Sequence, residues 1–110
     1  NVFDCFLLSF FTELLASQLV LQSQKAIVAP AWSSTVLHCS VNGAAMSSYT
    51  MLWYRQQPSG KAIEFICDEF ARYGQGFADR FEMTHSSSEN QFILGIRNLT
   101  SEDTGTYYCA

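Results

Sequence analysis

Positive charge is scarce in this chain of 110 residues and is nowhere concentrated. Its six Lys and Arg residues stand singly along the sequence, against ten Asp and Glu, for a formal net charge of −4 at pH 7. Binding to a phosphate backbone needs clustered basic side chains that release counterions. The composition therefore argues against nucleic acid as a partner and favours a protein surface.

Residues that carry out catalysis or hold metals are also few. The chain has two histidines, His38 and His85, and neither has a partner at the spacing of a catalytic or metal-binding motif. No Ser, His and Asp order suited to nucleophilic catalysis and no glycine-rich phosphate loop occurs. We therefore expect no enzymatic activity, no metal site and no cofactor.

Helical periodicity is missing from residue 18 onward, where no 3.6-residue repeat is long enough for a helix. Short stretches instead alternate inward and outward positions, and turn-forming residues separate them. One stretch places Leu37 and Cys39 on a single side, and the next places Trp53 on the side opposite Tyr54. This pattern predicts an all-β domain over residues 18–110. Its later strands are expected to turn one set of side chains inward: Phe81, Met83, Phe92, Leu94 and Ile96.

Residues 2–21 form a nearly continuous apolar run, broken by Asp4 and Glu13. An apolar run followed by small residues predicts a secretory signal peptide over residues 1–17, cut near Ala16 or Ser17. A buried N-terminal helix or a membrane anchor is the alternative, although two carboxylates are unusual in a spanning helix. Because no Met begins the chain, we expect the natural start to lie upstream.

Three distant residues, Cys39, Trp53 and Cys109, form the most specific pattern in the sequence, with Tyr107 two residues before the second cysteine. Four motifs accompany them: Trp53-Tyr54-Arg55-Gln56-Gln57-Pro58, Asp79-Arg80-Phe81, Leu94-Gly95-Ile96 with Leu99, and Glu102-Asp103-Thr104-Gly105-Thr106-Tyr107-Tyr108-Cys109. Together they resemble an immunoglobulin variable domain, and the match covers residues 18–110. The resemblance implies an immunoglobulin-like, V-type Greek-key β-sandwich.

The same resemblance implies specific contacts inside the sandwich. Cys39 and Cys109 should form a disulfide with Trp53 packed on it, and the Tyr107 hydroxyl should bond to the main chain at a corner. Arg80 should pair with Asp103. Since germline segments of this family end just after the second cysteine, we expect the final (G) strand to be missing and one sheet edge to be open.

Among variable domains, the chain looks most like a T-cell receptor alpha or delta segment. The runs Cys39-Ser40-Val41-Asn42-Gly43-Ala44-Ala45-Met46 and Tyr73-Gly74-Gln75-Gly76-Phe77-Ala78-Asp79-Arg80-Phe81 lean it toward delta. The alternatives are an antibody light chain, a V-set domain of an innate immune receptor, or a leader-bearing adhesion domain that undergoes no rearrangement. The resemblance implies transit through the secretory pathway to the outer face of the plasma membrane.

Two functional surfaces follow from this family. A pairing face toward a second variable-domain chain should contain Tyr54, Gln56, Ile63 and Phe65, because exposed apolar residues in a group require a cover. Two loops should contact a protein or MHC-like antigen, and signalling subunits would bind through a constant region that this sequence does not contain. The first loop holds Asn42, Gly43, Ala44, Ala45, Met46, Ser47, Ser48 and Tyr49, and the second holds Asp68, Glu69, Phe70, Ala71, Arg72 and Tyr73.

Two further residues need an explanation. Cleavage near Ala16 would remove Cys5, so Cys67 is left over once Cys39 and Cys109 pair. It is either a small buried hydrophobe or a partner for a cysteine in the third loop. Asn98 begins an Asn-Leu-Thr tripeptide, the acceptor sequence for N-linked glycans, and Leu99 should point inward and leave Asn98 exposed.

Overall fold

The computed structural model describes residues 5–12, 23–40, 45–58 and 60–110. These residues form eight strands and two short 3-10 helices, Met46–Ser48 and Ser101–Asp103. The strands are β1 (Cys5–Thr12), β2 (Ser23–Pro30), β3 (Thr35–Ser40), β4 (Leu52–Gln56), β5 (Glu64–Asp68), β6 (Phe81–Ser86), β7 (Gln91–Ile96) and β8 (Gly105–Cys109). The predicted all-β sandwich is confirmed.

The strands are arranged in two sheets. One sheet has five strands in the order β2-β1-β8-β4-β5, and the other has three in the order β3-β7-β6. Alternation with a period of two buries one face of each strand, as in β4, where Trp53 is buried and Tyr54 is half-exposed. The inner faces of the two sheets therefore share a single core.

The Cys39–Cys109 disulfide joins the two sheets through this core, from β3 to β8. Trp53, which lies opposite Cys109 in the β4–β8 ladder, stacks on Phe92 of β7 with ring centroids 5.8 Å apart. Closing a loop of 70 residues constrains the unfolded chain, and in the chain-entropy model it stabilises the fold by roughly 4 kcal/mol. The predicted disulfide is therefore present, and Trp53 is completely buried in the same core.

The inward set predicted for the later strands is also present. Phe81, Phe92, Leu94 and Ile96 are almost completely buried, and Met83 is partly buried against the same cluster. Leu99, which follows β7, is completely buried and closes the end of this face.

The outer edge of β8 differs from the sequence-based expectation. We expected an open edge there, but β1 pairs with β8 in parallel, from Leu8 opposite Gly105 to Thr12 opposite Cys109. β1 also pairs with β2 in an antiparallel ladder. The described part of the predicted signal peptide is thus a strand, while its cleavage site at Ala16 or Ser17 lies outside the described residues. Within the described ranges, no helix is long and apolar enough to span a membrane.

A bulge in β5 changes which side chains face the core. Trp53 is opposite Cys67 and Tyr54 is opposite Phe65, so Ile66 is the extra residue on β5. Strict alternation would place Phe65 and Cys67 on one face. The bulge instead leaves Phe65 half-exposed and buries both Ile66 and Cys67 completely.

Gly105 lies where the backbone of β8 approaches the end of β4. A Cβ atom at this position would lie 2.5 Å from the carbonyl oxygen of Gln56. No side chain fits at that distance, so the start of β8 requires glycine. This approach sets the sharp corner between the 3-10 helix Ser101–Asp103 and β8.

Candidate recognition and pairing surfaces

The outer face of the five-stranded sheet carries the predicted pairing residues. Tyr54 occupies its centre, because it is opposite Phe65 on β5 and opposite Tyr108 on β8. The rings of Tyr54 and Phe65 meet edge to face, with centroids 5.9 Å apart. Sequence reasoning missed Tyr108, although its alternation with the buried Tyr107 would have placed it on this face.

Gln56 and Ile63 extend this face toward the Gly105 end of the sheet. The amide nitrogen of Gln56 donates to the carbonyl oxygen of Lys61 at 3.1 Å, which holds the turn between β4 and β5 against the strand. Ile63 precedes β5 and is 57% exposed, which is more than any residue in β4, β5 or β8. The structure therefore brings all four predicted residues to one side, with Ile63 at its margin.

The first predicted loop is only partly a surface. Asn42, Gly43 and Ala44 lie outside the described residues. Ala45, Ser47 and Ser48 are exposed, whereas Met46 is completely buried and belongs to the core. The backbone nitrogen of Met46 donates to the side chain of Asn90 in the turn between β6 and β7. Tyr49 is half-buried against the core.

Placing Met46 among the antigen-contacting residues was therefore wrong. A 3-10 turn over Met46–Ser48 points this side chain inward, and loop composition alone does not reveal such a turn. The part of this loop that the structure offers to a ligand is Ala45, Ser47 and Ser48.

The second predicted loop presents a narrow tip. Phe70 is 64% exposed, and the Arg72 guanidinium lies 5.4 Å from the centre of its ring. Ala71 between them has a positive φ of 60°, which turns the chain sharply. These three residues are the ones a ligand would meet first.

The base of the second loop is buried and structural. Asp68 is only 3% exposed, and its Oδ1 accepts hydrogen bonds from the backbone nitrogens of Phe70 and Arg72 at 2.9 and 3.1 Å. The Tyr73 hydroxyl accepts from the backbone nitrogen of Met83 at 3.0 Å. Asp68 and Tyr73, both predicted as contact residues, thus shape the loop from below.

Charge reinforces this loop. Burial disfavours the ionised carboxylate of Asp68, but hydrogen bonds from Arg72 and Phe70 outweigh it and lower its pKa below the usual value. The Arg72 Nε lies 2.5 Å from Asp68 Oδ2. An ionised Asp68 therefore holds the tip in one conformation.

The two loops lie at the same end of the sandwich. The backbone nitrogen of Glu69 donates to the carbonyl of Met51, and the Met51 nitrogen donates to the Glu69 carboxylate, both at 3.0 Å. Ala110 exchanges backbone hydrogen bonds with Leu52 at 2.9 and 3.1 Å. The chain therefore reaches Ala110 directly beside both loops.

The opposite end of the sandwich holds a buried charge cluster. Arg80 donates to both carboxylate oxygens of Asp103, at 2.8 and 2.9 Å, and the Tyr107 hydroxyl donates to the Asp103 carbonyl at 2.7 Å. Both predicted contacts are present. The hydrogen bond to Asp103 raises the pKa of Arg80, and burial raises that of Tyr107, so neither group changes charge near neutral pH.

Arg55 is a third member of this cluster that sequence reasoning missed. Its Nη1 lies 3.2 Å from Asp103 Oδ1, its Nε lies 2.9 Å from Glu64 Oε2, and its guanidinium lies 4.8 Å from the ring centre of Phe77. Burial disfavours the charge of Arg55, but the hydrogen bond to Glu64 helps to outweigh it and its pKa is raised. The signal was available: Arg55 alternates with Trp53 and so faces inward.

Cys67 is buried and makes no disulfide within the described residues. Burial, with a smaller contribution from the neighbouring Asp68, raises the pKa of its thiol to about 12. This placement favours a small hydrophobe over an accessible pairing partner. Asn98 is exposed and Leu99 buried, as expected for the acceptor sequence. Across the described ranges, no three His, Cys, Asp or Glu residues are grouped to hold a metal.

Comparison with known proteins supports the architecture. The family model described as "Immunoglobulin V-set domain" matches residues 22–110. The chain is 40% identical over 93 residues to "Ig heavy chain V region MOPC 315" of Mus musculus, covering 81% of this chain and 67% of that relative. It is 33% identical over 111 residues to "Immunoglobulin heavy variable 3-5" of Mus musculus, covering 96% of this chain and 93% of that relative.

Proposed function

The chain belongs to the immunoglobulin V-set family, whose members are recognition domains and not enzymes, and we propose that it is the variable domain of an antigen-receptor chain. It would pair with a second variable domain through the outer face of its five-stranded sheet and present its loops to antigen. The observation that carries this proposal is the aromatic row Phe65, Tyr54 and Tyr108, which lies half-exposed across three neighbouring strands.

The row fits a protein partner for a physical reason. Aromatic side chains supply much of the binding energy at protein interfaces because they bury a large area with few rotatable bonds. The exposed Ile63 beside the row adds apolar area that gains from being covered. A second V domain is the proposed partner, because V domains in general pair with another variable domain.

The pairing test displays the chain on yeast and selects binding partners from a library of immunoglobulin V domains. Tyr54→Glu and Phe65→Glu should each abolish selection of partners, because a buried unpaired carboxylate opposes association. Val36→Glu is the matched control, since Val36 is 49% exposed and lies on β3, in the other sheet. If all three variants lost partner binding equally, or if none of them lost it, the proposed pairing face would be wrong.

Antigen contact is proposed for the exposed parts of both loops, and mainly for Phe70 and Arg72. Ala110 lies beside these loops, so a segment continuing from β8 would emerge between them and add a third loop. For any antigen selected with the paired domain, Phe70→Ala or Arg72→Ala should weaken binding at least about tenfold, the scale of an interface hot spot. Val36→Ala should leave it unchanged.

Two receptor classes are candidates. The runs around Cys39 and Tyr73 favour a T-cell receptor alpha or delta chain, which would bind an MHC-like antigen at the plasma membrane and signal through associated subunits. The similarity to heavy-chain variable regions favours an antibody heavy chain. Sequencing transcripts that continue past Ala110 distinguishes them by the constant region they encode. A continuation into the chain's own membrane helix, without a joining segment, would instead identify an innate receptor.

The N-terminal segment remains proposed as a secretory leader over residues 1–17. Mass spectrometry of the protein secreted from its full transcript would give the mature N-terminus. A start near Gln18 supports the proposal, and retention of Cys5–Thr12 would overturn it.

A further inference from the structure

Asn98 occupies a surface position that suits a covalently attached sugar. Its side chain is exposed to solvent. Its backbone is held firmly, because Arg80 Nη1 donates to its carbonyl oxygen at 3.1 Å and the next residue, Leu99, is completely buried. A group attached to Asn98 would therefore extend into solvent from a fixed base.

The backbone of Trp32 pairs with Leu99, the residue that follows Asn98. The Trp32 side chain is 74% exposed, more than any other large hydrophobic side chain described. The Trp32 backbone nitrogen donates to the carbonyl of Leu99, and the Leu99 nitrogen donates to the carbonyl of Ser33, both at 2.9 Å. This two-way pairing holds the backbone of Trp32 and Ser33 against Leu99, one residue from Asn98. Trp32 has a positive φ of 66°.

We propose that Asn98 carries an N-linked glycan whose first sugar packs against the indole of Trp32. The C–H face of a pyranose ring is apolar while its hydroxyl groups stay hydrated, and an indole offers a flat apolar surface of similar size. Such packing removes apolar surface of Trp32 from water. The site lies at the Gly105 end of the sandwich, away from Phe70 and Arg72, so the glycan leaves the loop surface accessible.

Thr100, the third residue of the acceptor sequence, is held by backbone contacts in the folded corner. Its nitrogen donates to Asp103 Oδ2 at 2.9 Å, and its carbonyl oxygen accepts from the Asp103 nitrogen at 3.0 Å. These contacts fix the acceptor sequence at the surface of the folded domain.

The test expresses the full chain in mammalian cells behind an added secretory signal. Intact mass is measured before and after treatment with peptide-N-glycosidase, and melting temperature is measured on both forms. We expect a glycan mass on wild type and none on Asn98→Gln. Removing the glycan should lower the melting temperature of wild type by about 3 °C or more, a shift well resolved for a domain of this size.

The matched comparison separates the glycan from its packing. Trp32→Ala should retain the glycan but lose its effect on melting temperature, whereas Phe70→Ala, which removes an exposed aromatic ring at the other end, should retain both. Because the enzyme converts Asn98 to aspartate, Asn98→Asp is measured as well. If the wild-type protein carried no glycan, the proposed modification would be wrong. If removing the glycan from Trp32→Ala lowered its melting temperature as much as in wild type, the proposed packing on Trp32 would be wrong.

Discussion

Arg80 binds Asp103 with two nearly parallel hydrogen bonds, at 2.8 and 2.9 Å, and the carboxylate they meet is completely buried. Arg55 approaches the same carboxylate from the core side. The buried Asp103 carboxylate thus contacts two guanidinium groups. Arg80 immediately precedes β6 of the three-stranded sheet, and Arg55 lies on β4 of the five-stranded sheet. Removing one partner from such a cluster strongly destabilises the fold, because it leaves a buried charge without its counter-charge.

We expect Asp103→Ala to lower the free energy of unfolding by about 3 kcal/mol or more, because it leaves Arg80 without its counter-charge and leaves Arg55 paired with Glu64 alone. Urea denaturation followed by tryptophan fluorescence measures the change. Arg72→Ala is the control, since it breaks an ion pair whose arginine is 73% exposed, and such exposed pairs contribute under about 1 kcal/mol. A loss below 1 kcal/mol in Asp103→Ala would show that the cluster relaxes without penalty.

Much of this architecture could be predicted from the sequence. Alternation around Cys39 and Trp53 indicates which face is buried, and family motifs identify the disulfide and the pair between Arg80 and Asp103. The alternation follows a strict period of two. The disulfide and the ion pair join distant residues, and the resemblance to the family is what predicts them.

The remainder depends on local departures from that period. The bulge at Ile66 buries Cys67, and a 3-10 turn buries Met46, and neither leaves a distinct mark on composition. Pairing of β1 with the edge of β8 joins segments about 100 residues apart, which alternation within a strand cannot reveal. Alternation within a strand therefore predicts where strands run, but not the direction of each side chain at a bulge or in a turn.

The thiol of Cys67 should be unreactive in the folded protein. Its pKa is raised to about 12 by burial, so almost no thiolate forms at pH 8, and the buried sulfur excludes reagents. A Cys5→Ser variant titrated with a thiol-specific chromogenic reagent should release no signal when native and one equivalent in urea. One equivalent released from native protein within minutes would contradict the burial of Cys67.

Replacing Gly105 should open the corner before β8. A Cβ placed 2.5 Å from the Gln56 carbonyl forces the two strands apart, so Gly105→Ala should cost about 2 kcal/mol, in the range of strained backbone sites. Gly95→Ala is the matched control, because its Cβ would lie 3.6 Å from the nearest atom, the Glu82 carbonyl oxygen, an ordinary contact. Thermal unfolding should show a clear loss of stability for Gly105→Ala and little for Gly95→Ala. Similar losses in both variants would mean that the close approach to Gln56 does not determine the effect.

The conformation of the second loop should depend on pH. The hydrogen bonds of Asp68 lower its pKa in the folded state below the ordinary value of 3.8, so the stability they contribute is fully present above pH 3.8. It is lost as the pH falls through the lower, folded pKa. An NMR titration of the Asp68 carboxyl carbon from pH 6 to pH 2 should therefore give a midpoint below 3.8, with the Phe70 amide shift following the same curve. Arg72→Ala removes the side-chain donor and should move the midpoint upward; a wild-type midpoint above 3.8 would show that burial outweighs these hydrogen bonds.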